Sequence, residues 1–325
     1  MDSIKERFER LFANELSQKE ARELLVELYK KGESSKDIAI VASIMREHSI
    51  KLPISKELQE EIIDIVGTGG DKSGSFNIST TVSLLLASLG SRVAKHGNRS
   101  ITSKSGSADL LEELGVNLNL TPQKQIEMLQ ESGFCFIFAL NHHPAMAHIM
   151  PIRKSIEHRT IFNILGPLTN PAGARKYLLG VFSPDFIDNM SNALVELDTK
   201  RAFVVSSRDG MDEISLCDKT QYAFVEGENI SKGVIDPQGL GFEIVPKKAI
   251  LGGSAKENAK ITRDIFSNRA TDAQKDIVVL NAGYALLADG KARDEKEAFE
   301  IVRDGLESGR AKEHLDFIID ISNKL

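Results

Sequence analysis

This sequence has no long apolar run and no cluster of cysteines, which argues against a membrane-spanning protein and a cysteine metal site. No apolar stretch reaches the roughly 18 residues that a membrane-spanning helix requires, so no such span is predicted. The 2 cysteines, Cys135 and Cys217, have no neighbour at metal-ligand spacing. We therefore expect two buried, reduced thiols and no cysteine metal site.

Positive charge is not in excess either, and no secretory leader is predicted from the first residues. The chain has 41 lysines and arginines against 47 acidic residues, and its formal net charge of −6 offers no global basic surface for nucleic acid. The stretch from Met1 to Leu11 mixes acidic and basic side chains and lacks the basic and apolar regions of a signal peptide. We expect a cytoplasmic protein that binds neither nucleic acid nor membrane.

What remains is the composition of an ordinary globular chain. Of its 325 residues, 41% are hydrophobic and 27% are charged, which allows a substantial core and two lobes. Apolar residues at helical spacing recur through the first sixty positions, in sets that include Phe8 and Leu24. Ser17 and Glu20 match a capping box, and Ser35 is expected to cap the next helix. The N-terminal lobe is therefore predicted to be all-helical.

From Ile62 onwards, short β-branched and apolar runs alternate with helical stretches. The predicted strands are residues 62–66, 92–95, 134–140, 177–182 and 202–206. Alternation of this kind favours an α/β fold with a parallel or mixed sheet. Between residues 141 and 171, four prolines interrupt short apolar pieces, which predicts broken helices. The pattern alone leaves open whether these helices pack on the sheet or on the N-terminal lobe.

A glycine-rich segment, Gly67-Thr68-Gly69-Gly70-Asp71, follows the first predicted strand. Glycines let backbone amides approach a phosphate without obstruction by a Cβ atom. The segment lacks both the Gly-Lys-Ser/Thr ending of a P-loop and the third glycine of a dinucleotide fingerprint. Taken alone it fits an ordinary turn as well as a phosphate-binding loop.

Two further clusters follow predicted strands or open predicted helices. Asn77 is a candidate N-cap whose helix would present the free amides of residues 78–80 to an anion. Lys95, Arg99 and Lys104 bring cations and interleaved hydroxyls that suit a polyphosphate. Because ligands of open α/β sheets bind outside the carboxyl ends of the strands, we expect all three clusters at one sheet edge. A helix cap without a ligand and a solvated basic turn are the alternatives.

These clusters, with the runs His142-His143-Pro144-Ala145-Met146 and Arg159-Thr160-Ile161-Phe162-Asn163-Ile164-Leu165-Gly166-Pro167-Leu168-Thr169-Asn170-Pro171, resemble the anthranilate phosphoribosyltransferase family nearly from end to end. The Lys95 to Arg99 element helps to separate that family from the pyrimidine nucleoside phosphorylases, which share its fold. Near Glu157, where many members have glycine, this chain departs from the pattern.

The resemblance implies a two-lobed α/β fold of the class II phosphoribosyltransferase type. A small all-helical domain would comprise residues 1–63, with residues 142–176 returning to it. A large α/β domain with a mixed, mainly parallel sheet would comprise residues 64–141 and 177–325. The chain would form a homodimer through its helical domains.

The resemblance also implies the substrates, phosphoribosyl pyrophosphate (PRPP) and anthranilate, and a Mg²⁺ cofactor. PRPP would be bound by Gly67, Gly70, Asp71, Ser75, Asn77, Ile78, Ser79, Thr80, Lys95, His96, Gly97, Asn98, Arg99, Ser100, Ile101, Thr102, Ser103 and Ser107. Anthranilate would be bound by Gly67, Asn98 and Arg153, and the metal by Ser79, Asp212 and Glu213. The histidines His142, His143 and His148 lack the i, i+4 spacing of a metal site and are expected to line a pocket wall.

The implied reaction transfers the phosphoribosyl group to the amine of anthranilate, releasing pyrophosphate, in tryptophan biosynthesis. An arylamine is unprotonated at neutral pH, so no catalytic acid or base is assigned and positioning is expected to dominate. Two alternatives are a nucleoside phosphorylase and a nucleic-acid-binding relative. The presence of Asn98, Arg153, Asp212 and Glu213 and the acidic net charge argue against the second. Whether a separate glutamine amidotransferase partner exists is left open.

Overall fold

The structure, a computed structural model, describes residues 3–71, 73–100 and 104–325. The helices are α1 (Ile4–Phe12), α2 (Gln18–Lys31), α3 (Ser35–Glu47), α4 (Lys56–Glu61), α5 (Ile78–Ser88), α6 (Ser107–Leu114), α7 (Pro122–Ser132), α8 (Ala139–His142), α9 (Met146–Lys154), α10 (Phe162–Leu165), α11 (Ile187–Glu196), α12 (Ala255–Phe266), α13 (Asp272–Asp289), α14 (Glu295–Glu307) and α15 (Arg310–Lys324). The strands are β1 (Ile62–Gly67), β2 (Arg92–Gly97), β3 (Phe134–Phe138), β4 (Lys176–Gly180), β5 (Arg201–Ser207), β6 (Thr220–Glu226) and β7 (Asn229–Ile235).

The strands described here form one seven-stranded sheet in the order β3-β2-β1-β4-β5-β6-β7. Strands β1 to β5 run parallel, and β6 and β7 are antiparallel to their neighbours. This confirms the predicted α/β fold with a mixed, mainly parallel sheet. Strands β6 and β7 and helix α15 were not predicted. Strand β7 is an edge strand with several exposed side chains, so it lacks the alternation of apolar residues that signals a strand.

The two faces of the sheet carry separate cores because successive strand residues point to opposite faces. Along β3, Phe134 and Phe136 pack with helices α5 and α13, whereas Cys135 and Ile137 pack with the N-terminal helices and α11. Cys135 is buried and unpaired as predicted, whereas Cys217 is only partly buried. No helix among the described residues is long and apolar enough to cross a membrane.

Local capping signals determine where the N-terminal helices begin. Ser17 and Glu20 form the predicted capping box of α2. At α3 the cap is Ser34 and not Ser35, because Asp37 lies three residues after Ser34 and completes a second box. Local sequence therefore specifies helix starts here to within one residue.

The broken helices between residues 141 and 171 form as predicted, and α9 contacts α2 while α10 contacts α3. The departure at Glu157 requires no special backbone, since Glu157 is not among the described residues with positive φ. The division of the chain into the two predicted domains remains a prediction.

A partly buried ion pair between Arg159 and Glu33 connects the segment before α10 to the start of α3. The guanidinium of Arg159 donates to both carboxylate oxygens of Glu33 at 2.8 Å. It also lies over the rings of Phe186 and Tyr29, with 4.6 and 5.2 Å to the ring centroids. The Glu33 side chain is 1% exposed and that of Arg159 is 26% exposed.

Substitution of Glu33 by glutamine is expected to lower the free energy of unfolding by about 2–3 kcal/mol, because a partly buried cation loses its counter-charge. Urea denaturation measures the change. The control is Glu27→Gln, whose partner pair with Arg7 is more exposed and which should cost about 0.5 kcal/mol or less. Equal losses of unfolding free energy in the two variants would show that the buried pair of Glu33 and Arg159 is no more stabilising than the exposed pair.

Candidate active site

The glycine-rich loop begins where β1 ends, and its conformation explains its glycines. Gly69 and Gly70 have φ of 69° and 79°, a left-handed backbone that other residues rarely adopt. Gly67 is required for a different reason, since a Cβ atom there would lie 2.3 Å from Oδ2 of Asp212. The loop therefore bends tightly and allows an acidic side chain to approach its backbone.

The structure brings that acidic segment to the loop from a distant part of the chain. Oδ2 of Asp212 accepts a hydrogen bond from the amide of Gly69 at 2.7 Å. Oε1 of Glu213 accepts one from the amide of Ser79 at 2.9 Å. The three residues predicted to hold a metal, Ser79, Asp212 and Glu213, thus lie around one position at the carboxyl ends of β1 and β4.

Burial makes the charged forms of these carboxylates unfavourable. It raises the pKa of Asp212 to about 7, with a further contribution from the charge of Asp71. Burial also raises the pKa of Glu213 well above its ordinary value, and the charges of Asp212 and Asp71 act in the same direction. A divalent cation would relieve this repulsion, and carboxylate oxygens are the ligands that magnesium prefers.

The described side chains alone do not complete a metal site. Within the described ranges, no three His, Cys, Asp or Glu side chains are grouped closely enough to hold a metal ion. Magnesium commonly binds through one or two carboxylates together with substrate phosphates and waters. The residues present fit an ion that is shared with a phosphorylated substrate.

The start of helix α5 differs from the prediction in two respects. Asn77 occupies the N-cap position, but its side chain makes no capping hydrogen bond. The amide of Ile78 donates to the carbonyl of Phe76 at 2.7 Å, and that of Ser79 donates to Glu213. The expectation of free amides at both positions was therefore wrong. The carbonyl of Phe76 takes the amide of Ile78, and Glu213 occupies the place beside Ser79 that an anion would take.

The three predicted cations lie in different environments. Lys95 belongs to β2 and is 1% exposed; its Nζ donates to the carbonyl of Ile65 at 2.6 Å and to Oγ of Ser79 at 3.4 Å. Arg99 binds Glu112 at 2.6 Å and Asp109 at 3.0 Å. Lys104 is exposed. Lys95 therefore approaches the site from inside the protein and not from the loop.

Asp64 and Asn170 form a buried polar group between β1 and β2. The register of these strands ends at Ile63 and Val93. Beyond it, Oδ1 of Asp64 accepts from the amide of His96 at 3.2 Å. Nδ2 of Asn170 donates to Oδ2 of Asp64 and to the carbonyl of Ala94, both at 2.8 Å. Sequence patterns did not single out Asp64, since one aspartate in an apolar run carries no local signal.

Arg153, predicted to bind the acceptor, is partly buried on α9, and no described carboxylate faces it as a counter-charge. Its guanidinium lies 5.3 Å from the ring centroid of Phe162, and Nη1 lies 3.4 Å from Sδ of Met150. Burial lowers the pKa of Arg153. No carboxylate in the described part of the chain forms an ion pair with it, so the guanidinium remains available to a carboxylate ligand.

The histidines lie against carbonyls and one another. Nδ1 of His96 is 3.1 Å from the carbonyl oxygen of Gly166, and Nε2 is 3.2 Å from Nε2 of His143. Burial lowers the pKa of both rings, that of His143 to about 4. His142 and His148 each contact a backbone carbonyl, of Ile50 and Leu11 respectively. Burial therefore favours the neutral form of both rings.

The other predicted PRPP residues follow the strand ends. Ser75 pairs with Leu251 across an isolated bridge. Thr80 is 0% exposed, and its hydroxyl has no partner among the described residues. Oδ1 of Asn98 accepts from the amide of Arg99 at 2.8 Å. The remaining predictions are placed as follows: Gly97 ends β2, the amide of Ser100 donates to Asp109, and Ser107 opens α6, whereas Ile101, Thr102 and Ser103 lie outside the described residues.

Two buried asparagines near the site were missed from the sequence. The side-chain amide of Asn281 on α13 accepts from the amide of Ile214 at 3.0 Å and donates to the carbonyl of Ile214 at 2.8 Å. It thereby holds the residue that follows Glu213. Asn258 on α12 binds Asn77 at 2.8 Å. Neither has a local motif, because each acts on a residue far away in the sequence.

This chain is similar to known proteins over most of its length. Residues 59–312 match the family model described as "Glycosyl transferase family, a/b domain". Anthranilate phosphoribosyltransferase from Aquifex aeolicus is 41% identical over 91% of this chain and 86% of that protein. The crystal structure of the enzyme from Thermus thermophilus is 40% identical, with a TM-score of 0.91 over 98% of this chain and 94% of that one.

The structure of the Saccharomyces cerevisiae enzyme in complex with PRPP and Mg is 28% identical, with a TM-score of 0.86 over 95% of this chain and 86% of that one. The likeness in sequence and fold thus extends over nearly the whole molecule, including the strand ends that carry the site. This chain belongs to the anthranilate phosphoribosyltransferase family, the glycosyltransferases that transfer the phosphoribosyl group of PRPP to anthranilate in tryptophan biosynthesis.

Proposed function

We propose that the glycine loop, the start of α5 and the segment after β2 bind PRPP, and that Asn98 and Arg153 hold anthranilate beside it. The products are N-(5-phosphoribosyl)anthranilate and pyrophosphate. The observation that carries the acceptor assignment is the partly buried guanidinium of Arg153 without a carboxylate partner among the described residues. A planar guanidinium binds a carboxylate through two parallel hydrogen bonds, which suits anthranilate.

The donor assignment is supported by the convergence of the glycine loop with Asp212 and Glu213. The yeast relative has been crystallised with PRPP and Mg. We infer that Mg²⁺ is the cofactor here as well and that Ser79, Asp212 and Glu213 would hold it. The ion, when bound, would offset negative charge on the departing pyrophosphate. The buried carboxylates with raised pKa fit such an ion.

The protein's own contribution to the reaction is positioning. The lone pair of the arylamine attacks C1 of the ribose as the bond to pyrophosphate breaks, and the amine then loses a proton to solvent. Asn98 and Arg153 restrict the acceptor, and backbone amides of the glycine loop restrict the donor, so that the reacting atoms meet without a large loss of entropy at the moment of reaction. The neutral rings of His96 and His143 add no charge to the pocket.

We also propose the two-domain division, with residues 1–63 and 142–176 in the helical domain. The contacts of α9 with α2 and of α10 with α3 support it. The homodimer remains a prediction from the resemblance, and the cytoplasmic location remains a prediction from the N-terminal residues. A separate amidotransferase partner stays an open question.

The test of the proposed function is the loss of anthranilate fluorescence when PRPP and MgCl₂ are added. We expect magnesium-dependent turnover by the parent protein. Arg153→Ala should lower kcat/KM for anthranilate by about 100-fold, mainly through KM, because the substrate carboxylate loses its charged partner. The matched control is Lys154→Ala, which removes the exposed neighbouring cation and should leave kcat/KM within about twofold.

A folded parent that does not consume anthranilate would overturn the proposed function. Equal effects of the Arg153 and Lys154 substitutions would overturn the acceptor assignment alone, since a general loss of positive charge would then explain both.

A further inference from the structure

A series of side-chain amides connects three segments around the proposed PRPP site. Asn258 is 2% exposed, and its Oδ1 accepts from the amide of Gly253 at 2.8 Å. Its Nδ2 donates to Oδ1 of Asn77 at 2.8 Å. Nδ2 of Asn77 then donates to the carbonyl of Ser105 at 3.1 Å. The hydroxyl of Ser105 donates to Oδ1 of Asn77, also at 3.1 Å.

The orientation of each amide follows from the one before it. A backbone N–H can only donate, so the amide of Gly253 requires Oδ1 of Asn258 to face it. Nδ2 of Asn258 must then face Asn77, whose own Oδ1 turns towards it. This leaves Nδ2 of Asn77 for the carbonyl of Ser105. One backbone group therefore sets the orientation of two side chains and selects a carbonyl in another loop.

Asn258, the first residue of the series, contacts a segment that is held firmly in place. The amide of Gly252 donates to the carbonyl of Gly74 at 2.9 Å, and that of Phe76 donates to the carbonyl of Ile250 at 3.3 Å. A Cβ atom on Gly252 would lie 2.5 Å from Cα of Phe76 and 2.7 Å from Oδ1 of Asn258. The segment from Ile250 to Gly253 is thus packed directly against the end of the glycine loop.

The last member lies at the end of the segment that carries the other predicted PRPP residues. Ser105 precedes Gly106, whose amide donates to Oδ2 of Asp109 at 2.8 Å. The same oxygen accepts from the amide of Ser100 at 3.0 Å. Ser100 and Gly106 are therefore both held at the start of α6. Two hydrogen bonds then join Ser105 to Asn77 at the start of α5.

We propose that Asn258 is a positioning residue for the phosphoribosyl donor: through Asn77 it holds Ser105, just before α6, at the start of α5, so that the two sides of the proposed PRPP site keep one spacing. The inference rests on the proposed PRPP site. It also explains why Asn77, at an N-cap position, makes no capping bond, since its side chain connects two loops instead.

The test is Asn258→Asp. The new carboxylate still accepts from the amide of Gly253, but its second oxygen faces Oδ1 of Asn77 and repels it. The side-chain amide of Asn77 is then expected to turn, so that its Nδ2 no longer donates to the carbonyl of Ser105. We expect the Kd for PRPP, measured by titration calorimetry with MgCl₂ present, to rise about tenfold or more. KM for PRPP should rise in parallel, with kcat and KM for anthranilate within about threefold of the parent.

The matched control is Asn189→Asp on α11, where Nδ2 donates to the carbonyl of Glu33 at 2.9 Å. This variant loses the same type of hydrogen bond away from the site. It should lose thermal stability without a change in the Kd for PRPP. If Asn258→Asp does not fold, Asn258→Ala removes the link without adding a charge and should raise the Kd in the same direction.

The outcomes separate this inference from the proposed function. Weaker PRPP binding by the Asn258 variant than by the parent and the Asn189 control supports the inference, even if the parent shows no turnover with anthranilate. A Kd within about twofold of the parent in a folded Asn258 variant overturns it. Absence of PRPP binding by the parent overturns both.

Discussion

Replacing Asp212 by asparagine is expected to lower the magnesium-dependent turnover of anthranilate by about 100-fold or more, because charge stabilisation at the leaving group is among the largest contributions to catalysis. Asparagine keeps an oxygen that can accept from the amide of Gly69, so the loop geometry should persist. Fluorescence-monitored turnover at several magnesium concentrations measures the loss. The control is the exposed Asp304→Asn, which should behave as the parent.

The same substitution should stabilise the metal-free protein at alkaline pH. Burial and the charge of Asp71 raise the pKa of Asp212 from 3.8 to about 7 in the folded chain. A raised folded-state pKa means that ionisation of this carboxyl destabilises the fold progressively as the pH rises from about 4 to about 7, and fully above that range. Asparagine does not ionise, so the variant does not lose stability in this way as the pH rises.

Calorimetric melting in EDTA checks the sign. The Tm difference between the variant and the parent should be near zero at about pH 4 and positive at about pH 8. Addition of MgCl₂ with PRPP should raise the Tm of the parent more than that of the variant, since only the parent keeps both carboxylates for the ion. A variant that is less stable than the parent at the higher pH without metal would contradict the assigned electrostatics.

Replacing Gly180 by alanine is expected to be as damaging, although Gly180 has no side chain in the site. It ends β4 opposite Gly67 in the sheet register. A Cβ atom there would lie 1.5 Å from the carbonyl oxygen of Asp212 and 2.4 Å from its carbonyl carbon. Since the obstruction is backbone, the segment carrying Asp212 and Glu213 has to move away from the glycine loop.

We expect Gly180→Ala to lower kcat/KM by about 100-fold, because a small displacement of positioning groups is sufficient for a loss of this size. Overpacking should also reduce the free energy of unfolding by about 1–3 kcal/mol. Steady-state kinetics and urea denaturation measure the two effects. The matched control is Gly239→Ala, whose added Cβ would meet nothing closer than 3.7 Å. If Gly180→Ala had the same kcat/KM as the parent, the segment carrying Asp212 and Glu213 would tolerate the displacement, contrary to this prediction.

Local patterns were sufficient for much of the fold. The capping box of α2 and the apolar runs of β1 to β5 each use residues close together in the sequence, so a helix start and the parallel strands could be predicted. At α3 the predicted cap, Ser35, was one residue away from the actual cap, Ser34. The glycine loop after β1 and the start of α5 could be placed at one sheet edge because the carboxyl ends of parallel strands meet there. Strand β7 could not be predicted, because an exposed edge strand needs no apolar alternation.

The α/β class, the order of most elements and the residue types at the candidate site therefore follow from local sequence. Three features do not: Lys95 points inwards to Ile65, Glu213 occupies the start of α5 and Asn258 donates to Asn77. The physical reason is the same for all three. Each depends on a hydrogen bond between residues that are 30 or more positions apart in the chain, and a local pattern carries no information about a partner that only folding brings near.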